Sequence, residues 1–257
     1  MNTDAEWEKW GKKDPYFGVI THEKYRSQNL TEDAIIEFFE SGRRHIRHVI
    51  EVCRRHLDQE FAPKRVLDFG CGTGRHIIPL AEIAEHVVGL DVSDTMLNEA
   101  LKNCDKYSVQ NVSLLKSDDN LSSLKECFDL IHSHIVFQHI PVKRGRRIFA
   151  NLLNHLSEGG ICAIQFTYSK AIFGRSYGVP SAKWRIYDSY MKGKHLVKDL
   201  LRIKSPSEDP EMQMNPYNLN ELFFLIQSAG IHNTHMEFSD HRGELGVFLY
   251  FQKPKKA

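Results

Sequence analysis

The sequence predicts an α/β fold: a mostly parallel sheet of seven strands with helices on both faces. Three observations carry that prediction. Short apolar strands alternate with helix-like segments from Pro63 to Tyr168. Three glycines, Gly70, Gly72 and Gly74, follow the first strand directly and open a helix-like segment. Two further strands, about 232–238 and 246–252, close the described pattern around a turn at Asp240–Gly243.

The elements follow in order. Residues 1–30 read as an irregular aromatic arm, with Trp7, Trp10, Tyr16 and Phe17 around Asp14-Pro15. Thr31, Glu32 and Asp33 start a helix with Ile35, Ile36, Phe38 and Phe39 on its apolar face. A second helix, about Arg43 to Leu57, places Ile46, Val49, Ile50 and Cys53 on one side. Strands are expected at VLDFG, HVVGLDVS, VSLLKSD, FDLIHSHIVF and ICAIQFTY. Helices are expected at about Gly74–Ala84, Asp94–Cys104, Ile148–Leu156 and Leu219–Ala229, the last closed by Gly230. The alternation breaks at residues 168–215, which hold a Gly/Pro/Ser stretch, an amphipathic helix near 183–203 and a loop. The expected division is thus an N-terminal arm and helical cap (1–60), a ligand-binding α/β core (61–167), an inserted cap (168–215) and a closing helix with two strands (216–257).

Composition narrows the class. A chain of 257 residues can bury a large core. Its formal net charge of +1 creates no global field for nucleic acid. No stretch reaches the roughly 18–20 apolar residues that span a bilayer, and the first residues lack a signal-peptide core. The cysteines Cys53, Cys71, Cys104, Cys127 and Cys162 are scattered, with no C-x-x-C pair. They read as reduced thiols of a cytoplasmic protein.

The chemistry concentrates in Asp68-Phe69-Gly70-Cys71-Gly72-Thr73-Gly74. Glycines there let the backbone pass close beneath a ligand. Arg75 stands where a dinucleotide fingerprint would have its third glycine. A carboxylate at Asp68 would repel a pyrophosphate but favour a ligand carrying an ammonium and a sulfonium. Asp91 ends the second strand, where a carboxylate can accept hydrogen bonds from two ribose hydroxyls. A nicotinamide-dependent oxidoreductase shares Asp91, so that residue does not separate the two readings.

These residues resemble the class I S-adenosylmethionine-dependent methyltransferase family. D-F-G-C-G-T-G is similar to its first motif, and G-L-D-V-S to its ribose-binding strand. Ser117-Asp118-Asp119, Phe128-Asp129-Leu130-Ile131, Phe137-Gln138-His139-Ile140-Pro141 and Leu156-Ser157-Glu158-Gly159-Gly160 extend the likeness. It covers roughly 60–167 and 216–257. The resemblance implies a reversed last strand and S-adenosyl-L-methionine as cofactor. It implies cofactor contacts from Asp68, Gly70, Cys71, Gly72, Thr73, Gly74, Asp91, Val92, Met96, Asp118, Asp119 and His134. The implied reaction is methyl transfer to an oxygen or nitrogen of a small-molecule acceptor.

His139, after the fourth strand, is the candidate general base, against a structural role in holding its loop. Cys71 is expected to be a small filler beneath the cofactor rather than a nucleophile. His132 and His134 share a strand face, but without a nearby third ligand no metal site is expected. Candidate substrate contacts are Tyr16, Arg175, Tyr177, Trp184 and Arg185. Lys170–Lys204 carries nine Lys/Arg residues against Asp188 and Asp199, which suits an anionic acceptor or simply a solvated helix face. The aromatic arm is expected to fold over cofactor and substrate as a lid that orders on binding. An RNA methyltransferase remains an alternative, although the Asn/Asp-Pro-Pro-aromatic motif of base methylases is absent after the fourth strand. The acceptor and the oligomeric state stay open.

Overall fold

The computed structural model describes residues 3–176, 178–184, 186–187, 189–190, 193 and 209–255. Its strands are β1 (Arg65–Phe69), β2 (His86–Asp91), β3 (Val112–Lys116), β4 (Phe128–Ser133), β5 (Leu156–Lys170), β6 (Asn233–His241) and β7 (Glu244–Gln252). They form one sheet in the order β3-β2-β1-β4-β5-β7-β6. The pairs β1–β2, β1–β4, β2–β3 and β4–β5 are parallel, whereas β7 runs antiparallel to both β5 and β6. The reversed last strand is therefore present. Arg242 and Gly243, both at positive φ, make the two-residue turn between β6 and β7, the geometry that matches strand twist.

Helices α1 (Thr3–Lys13), α2 (Pro15–Val19), α3 (Glu32–His56), α4 (Ile77–Ala81), α5 (Asp94–Lys106), α6 (Val142–Asn154) and α7 (Leu219–Ser228) surround the sheet. Ile148, Phe149 and Leu152 of α6 and Leu222 and Ile226 of α7 pack with Leu67, Ile131 and Phe166 on one face. Ile46, Val49 and Cys53 of α3 and Ile77 and Leu80 of α4 pack with Val66, Leu130 and Ala163 on the other. Strand order changes direction between β1 and β4, so a crevice opens beyond their carboxyl ends.

Several expectations change. The two helices expected after residue 31 are one helix of 25 residues, capped by the Thr31 hydroxyl. Gly42 lies within this continuous helix, and a Cβ there would lie 2.2 Å from the Arg75 carbonyl oxygen. The glycine marks a close approach of α3 to the loop after β1. The helix expected from Gly74 starts only at Ile77, since positive φ at Gly72 and Gly74 keeps 71–76 in turns. α6 begins at Val142, directly after Pro141, six residues before the apolar periodicity suggested. β4 stops at Ser133, and Ile135 sits at φ +59. A β-branched residue there is a strained position, of the kind that clusters at functional sites.

The N-terminal segment departs furthest. It is not an irregular arm but two helices with their own small core. Trp10, Tyr16, Phe17 and Tyr25 are buried against Phe38, Phe39, Ile78 and Met96. Asp14 accepts from the Ser27 backbone and pairs with Arg26, which also reaches Asp209. Those are contacts across the chain that no local pattern announces. The amphipathic helix expected near 183–203 lies mostly outside the described residues.

Candidate active site

The crevice at the switch point is a cavity of about 510 Å³. Its floor is the loop after β1 and the end of β2. Gly70 and Gly72 adopt φ +76 and +53 and line the cavity with bare backbone. A Cβ on Gly70 would collide with Val136 at 2.4 Å, so the glycine fits the close pass of the 134–136 segment. Asp91 accepts the Gly72 N–H at 2.9 Å and the Ser93 N–H at 2.9 Å. Each of its oxygens keeps acceptor capacity. Burial raises the Asp91 carboxyl to about 6, partly offset by those two amides. Val92, Met96, Ser117 and Asp118 continue the same wall. The Asp118 carboxyl is held below its ordinary value by the Ser122 amide and hydroxyl, and by the Asn120 amide.

The roof comes from elsewhere. Thr3, Asp4 and Trp7 of α1, Gly18–His22, Gln138 and His139, Met212 and Met214, and the hairpin residues Asp240–Arg242 close over the floor. Several polar contacts fasten α1, including Glu6 to the Glu211 amide and Lys13 to Asp209. Glu8 accepts from the Ser93 hydroxyl and the Thr95 amide at the start of α5. Burial alone would raise the Glu8 carboxyl, but the Thr95 and Ser93 hydrogen bonds lower it to about 2. Arg144 of α6 forks onto Asp4 at 2.6 and 2.8 Å while its Nε reaches Asp119 at 2.5 Å.

His139 lies within the cavity wall and touches Trp7 edge-on, ring centroids 5.0 Å apart. Its Nδ1 donates to the Gln213 carbonyl at 2.8 Å, so Nε2 is the acceptor nitrogen, met by the Gln138 amide at 3.2 Å. Burial drives its imidazole down to about 4, against that hydrogen bond to Gln213. At neutral pH His139 is uncharged.

Other expected site residues divide. Gly70, Gly72, Asp91, Val92, Met96, Asp118 and His134 face the cavity. Cys71, Thr73 and Gly74 lie beneath it: Cys71 is buried with its thiol pushed well up by that burial, and Gly74 packs on Ala100 of α5. Asp68 sits behind the cavity wall, its Oδ1 2.7 Å from His132 Nδ1. Asp119 is occupied by Arg144 and Arg147. Tyr16 is buried, with its hydroxyl on Asn103 and Glu99 of α5. Arg175 is exposed, and Trp184 packs on Phe173, away from the cavity. Tyr177 and Arg185 lie outside the described residues.

Two histidines escaped sequence reasoning because they come from other elements. His45 of α3 and His76, just before α4, join His132 and His134. The third ligand that the β4 pair lacked in sequence is thus present in space. Its one local signal was Gly42, three residues before His45, where α3 approaches the loop after β1. The cavity roof at Met212, Met214 and His241 carried no such signal.

Residues 66–160 match the family model described as a methyltransferase domain. Over 113 residues the chain is 34% identical to trans-aconitate 2-methyltransferase of Deinococcus radiodurans, covering 42% of this chain and 41% of that protein. It is 31% identical over 104 residues to malonyl-[acyl-carrier protein] O-methyltransferase of Bacillus cereus, covering 40% and 37%. The chain thus spans about two fifths of the length of the curated relatives it matches. Among solved structures, an N-methyltransferase from Bradyrhizobium japonicum WM9, in complex with S-adenosyl-L-homocysteine, superposes with TM-score 0.61 at 15% identity over 99% of this chain and all of that one. Magnesium protoporphyrin IX methyltransferase from Synechocystis superposes with TM-score 0.62 at 14% identity over 98% and 100%. Residues 66–160 are therefore similar to a methyltransferase domain, and the fold is that of S-adenosylmethionine-dependent methyltransferases.

Proposed function

We propose that the protein transfers a methyl group from S-adenosyl-L-methionine to an oxygen or nitrogen of a small-molecule acceptor. The observation that carries this reading is the match of residues 66–160 to a methyltransferase domain, with Asp91 of that stretch at the cavity wall, its carboxylate oriented by the Gly72 and Ser93 amides with lone pairs to spare. That arrangement suits a ribose diol, and the bare backbone of Gly70 and Gly72 leaves room for the rest of the cofactor. Met96 and Asp118 stand where the adenine would lie, and His134 at the amino-acid end. When bound, the cofactor supplies an activated sulfonium methyl.

The chain's own residues then bind, orient and exclude water. The roof of Trp7, Val19, Met212 and Met214 is apolar and covers the open side. His139 is neutral, and its Nε2 lone pair, which meets the Gln138 amide in this structure, would accept the acceptor's O–H or N–H in exchange for that amide and aim the nucleophile. Its depressed basicity makes positioning a better role than full proton abstraction. Charged groups near the hairpin turn, Asp240 and Arg242, would discriminate the acceptor. In this reading the chain divides into 1–60, 61–167, 168–215 and 216–257, with the first segment roofing the cavity. The cavity's concave, largely apolar wall favours a small molecule over RNA. No described helix is long and apolar enough to cross a membrane.

Calorimetry with S-adenosyl-L-homocysteine and NADH tests the cofactor. Saturable binding of the first and none of the second is expected; the reverse would overturn the reading. Transfer of labelled methyl groups into a metabolite extract, but not into RNA, tests the acceptor class.

A further inference from the structure

Behind the cavity wall, His45, His76, His132 and His134 gather around Asp68. Ring centroids lie 4.8 Å apart for His45–His76 and 4.9 Å for His76–His132, and His45 stacks on His134 at 4.1 Å. Methyl transfer as derived above uses only His134 of this set. Asp68 accepts from His132 Nδ1–H at 2.7 Å, which leaves the lone pair of His132 on Nε2. That nitrogen faces His45 Nε2 at 2.9 Å. A carboxylate behind an imidazole whose other nitrogen points into a cluster is the usual support for a metal-binding histidine.

Two atoms of the cluster are buried without a hydrogen-bond partner among the described residues: Asp68 Oδ2 and His76 Nε2. Their residues are only 1% and 7% exposed. Leaving a carboxylate oxygen and an imidazole nitrogen unpaired in a buried site is costly. Donor atoms of Asp68, His76 and His132, and likewise of His45, His76 and His134, lie within 4.8 Å of one another. His76 belongs to both sets.

We propose that this cluster binds one divalent transition-metal cation, with His76 as the shared ligand and Asp68 as the anionic donor. Imidazoles and a single carboxylate select borderline ions such as Zn²⁺ or Co²⁺ over the hard, all-oxygen ions. Arg75, 3.4 Å from His134 Nδ1, opposes a further cation, and Asp68 offsets it. His134 and Arg75 line the cavity, which supplies the entry path. The ion would tie α3 and the segment before α4 to β1 and β4, and so fix the wall at His134. It takes no part in the methyl-transfer step proposed above.

The test uses the full chain, stripped with chelator and without cofactor. Equilibrium dialysis against Zn²⁺ should leave one ion per chain, and Co²⁺ should give the visible absorption of nitrogen–oxygen coordination. His76→Gln should weaken retention by at least about 100-fold; His45→Gln decides the matter if circular dichroism finds His76→Gln unfolded. His56→Gln, which alters the surface pair stacked with His235 at 3.7 Å, should change nothing. Absence of stoichiometric retention in the wild type, or retention that survives the cluster variants and is lost in His56→Gln, overturns the proposal. S-adenosyl-L-homocysteine binding, measured separately, stands or falls independently.

Discussion

The floor and the roof of the cavity are built by opposite means. The floor is local: within 25 positions, from Asp68 to Val92, the chain supplies three glycines at positive φ, an oriented carboxylate and their flanking strands. The roof is assembled from α1, the 137–139 turn, Met212, Met214 and the β6–β7 hairpin, which meet only in the folded chain. Floor contacts are made by backbone and one carboxylate, groups suited to an invariant ligand. Roof contacts are made by long side chains, including Trp7, Arg144 and Arg242, which can be exchanged without disturbing the sheet. The difference teaches where cofactor recognition and acceptor choice reside in the proposed enzyme.

Four changes would break or sharpen that contrast. The largest effect is expected from Gly72→Val. Its φ of +53 suits no branched residue, and a Cβ would stand 2.9 Å from Val19 of the roof. Binding of S-adenosyl-L-homocysteine should vanish while circular dichroism stays native; normal binding would remove the floor from cofactor recognition. Asp91→Ala comes next. Loss of a charged hydrogen-bond partner costs about 1.5–3 kcal/mol, roughly ten- to hundredfold in Kd. The wild type should imitate this in acid, because Asp91 titrates near 6 and its protonated form loses acceptor capacity. Calorimetric affinity that is flat between pH 7 and 5 would contradict the assignment.

A third, smaller effect tests the roof. Arg144→Ala releases Asp4 and Asp119 together, and a partly exposed pair of this kind is worth about 1 kcal/mol. S-adenosyl-L-homocysteine affinity should fall about fivefold, and amide exchange across α1 should accelerate. Unchanged exchange would mean that Glu8, Glu6 and Lys13 hold α1 down without Arg144. The smallest effect is expected from Arg175→Ala. This side chain is exposed and outside the cavity, so the acceptor KM should not move; a raised KM would extend the acceptor site beyond the roof described here.

Histidine burial predicts one further property of the whole fold. A group whose folded basicity is depressed binds fewer protons when folded than when unfolded, so stability falls as pH drops through that window. His139, lowered to about 4 from 6.5, places the window between those values, and His45, His76 and His134 act in the same direction. Asp91 acts oppositely, since its raised carboxyl gains stability on acidification from about 6. Four histidines outweigh one aspartate. Thermal melts should therefore show a falling Tm from pH 6.5 to 4, and a constant Tm would mean that the cluster stays open to solvent.

Periodicity alone determined the sheet, its alternation with helices and the glycine loop, because each is a property of neighbouring residues: Val66-Leu67 must be buried, and Gly70 must turn. Asp91 was legible for the same reason, as the polar end of an apolar strand. Tyr16 and Asp119, expected at the site, instead have partners far away in sequence, on α5 and α6. The N-terminal helices were missed because Trp10 and Phe17 are stabilised by Phe38 and Met96, not by their own neighbours. Only the tertiary structure decided what roofs the cavity and what surrounds His132. Burial and pairing between distant segments depend on how the sheet's ends and α3 come together. That is a sum over contacts which no window of sequence contains.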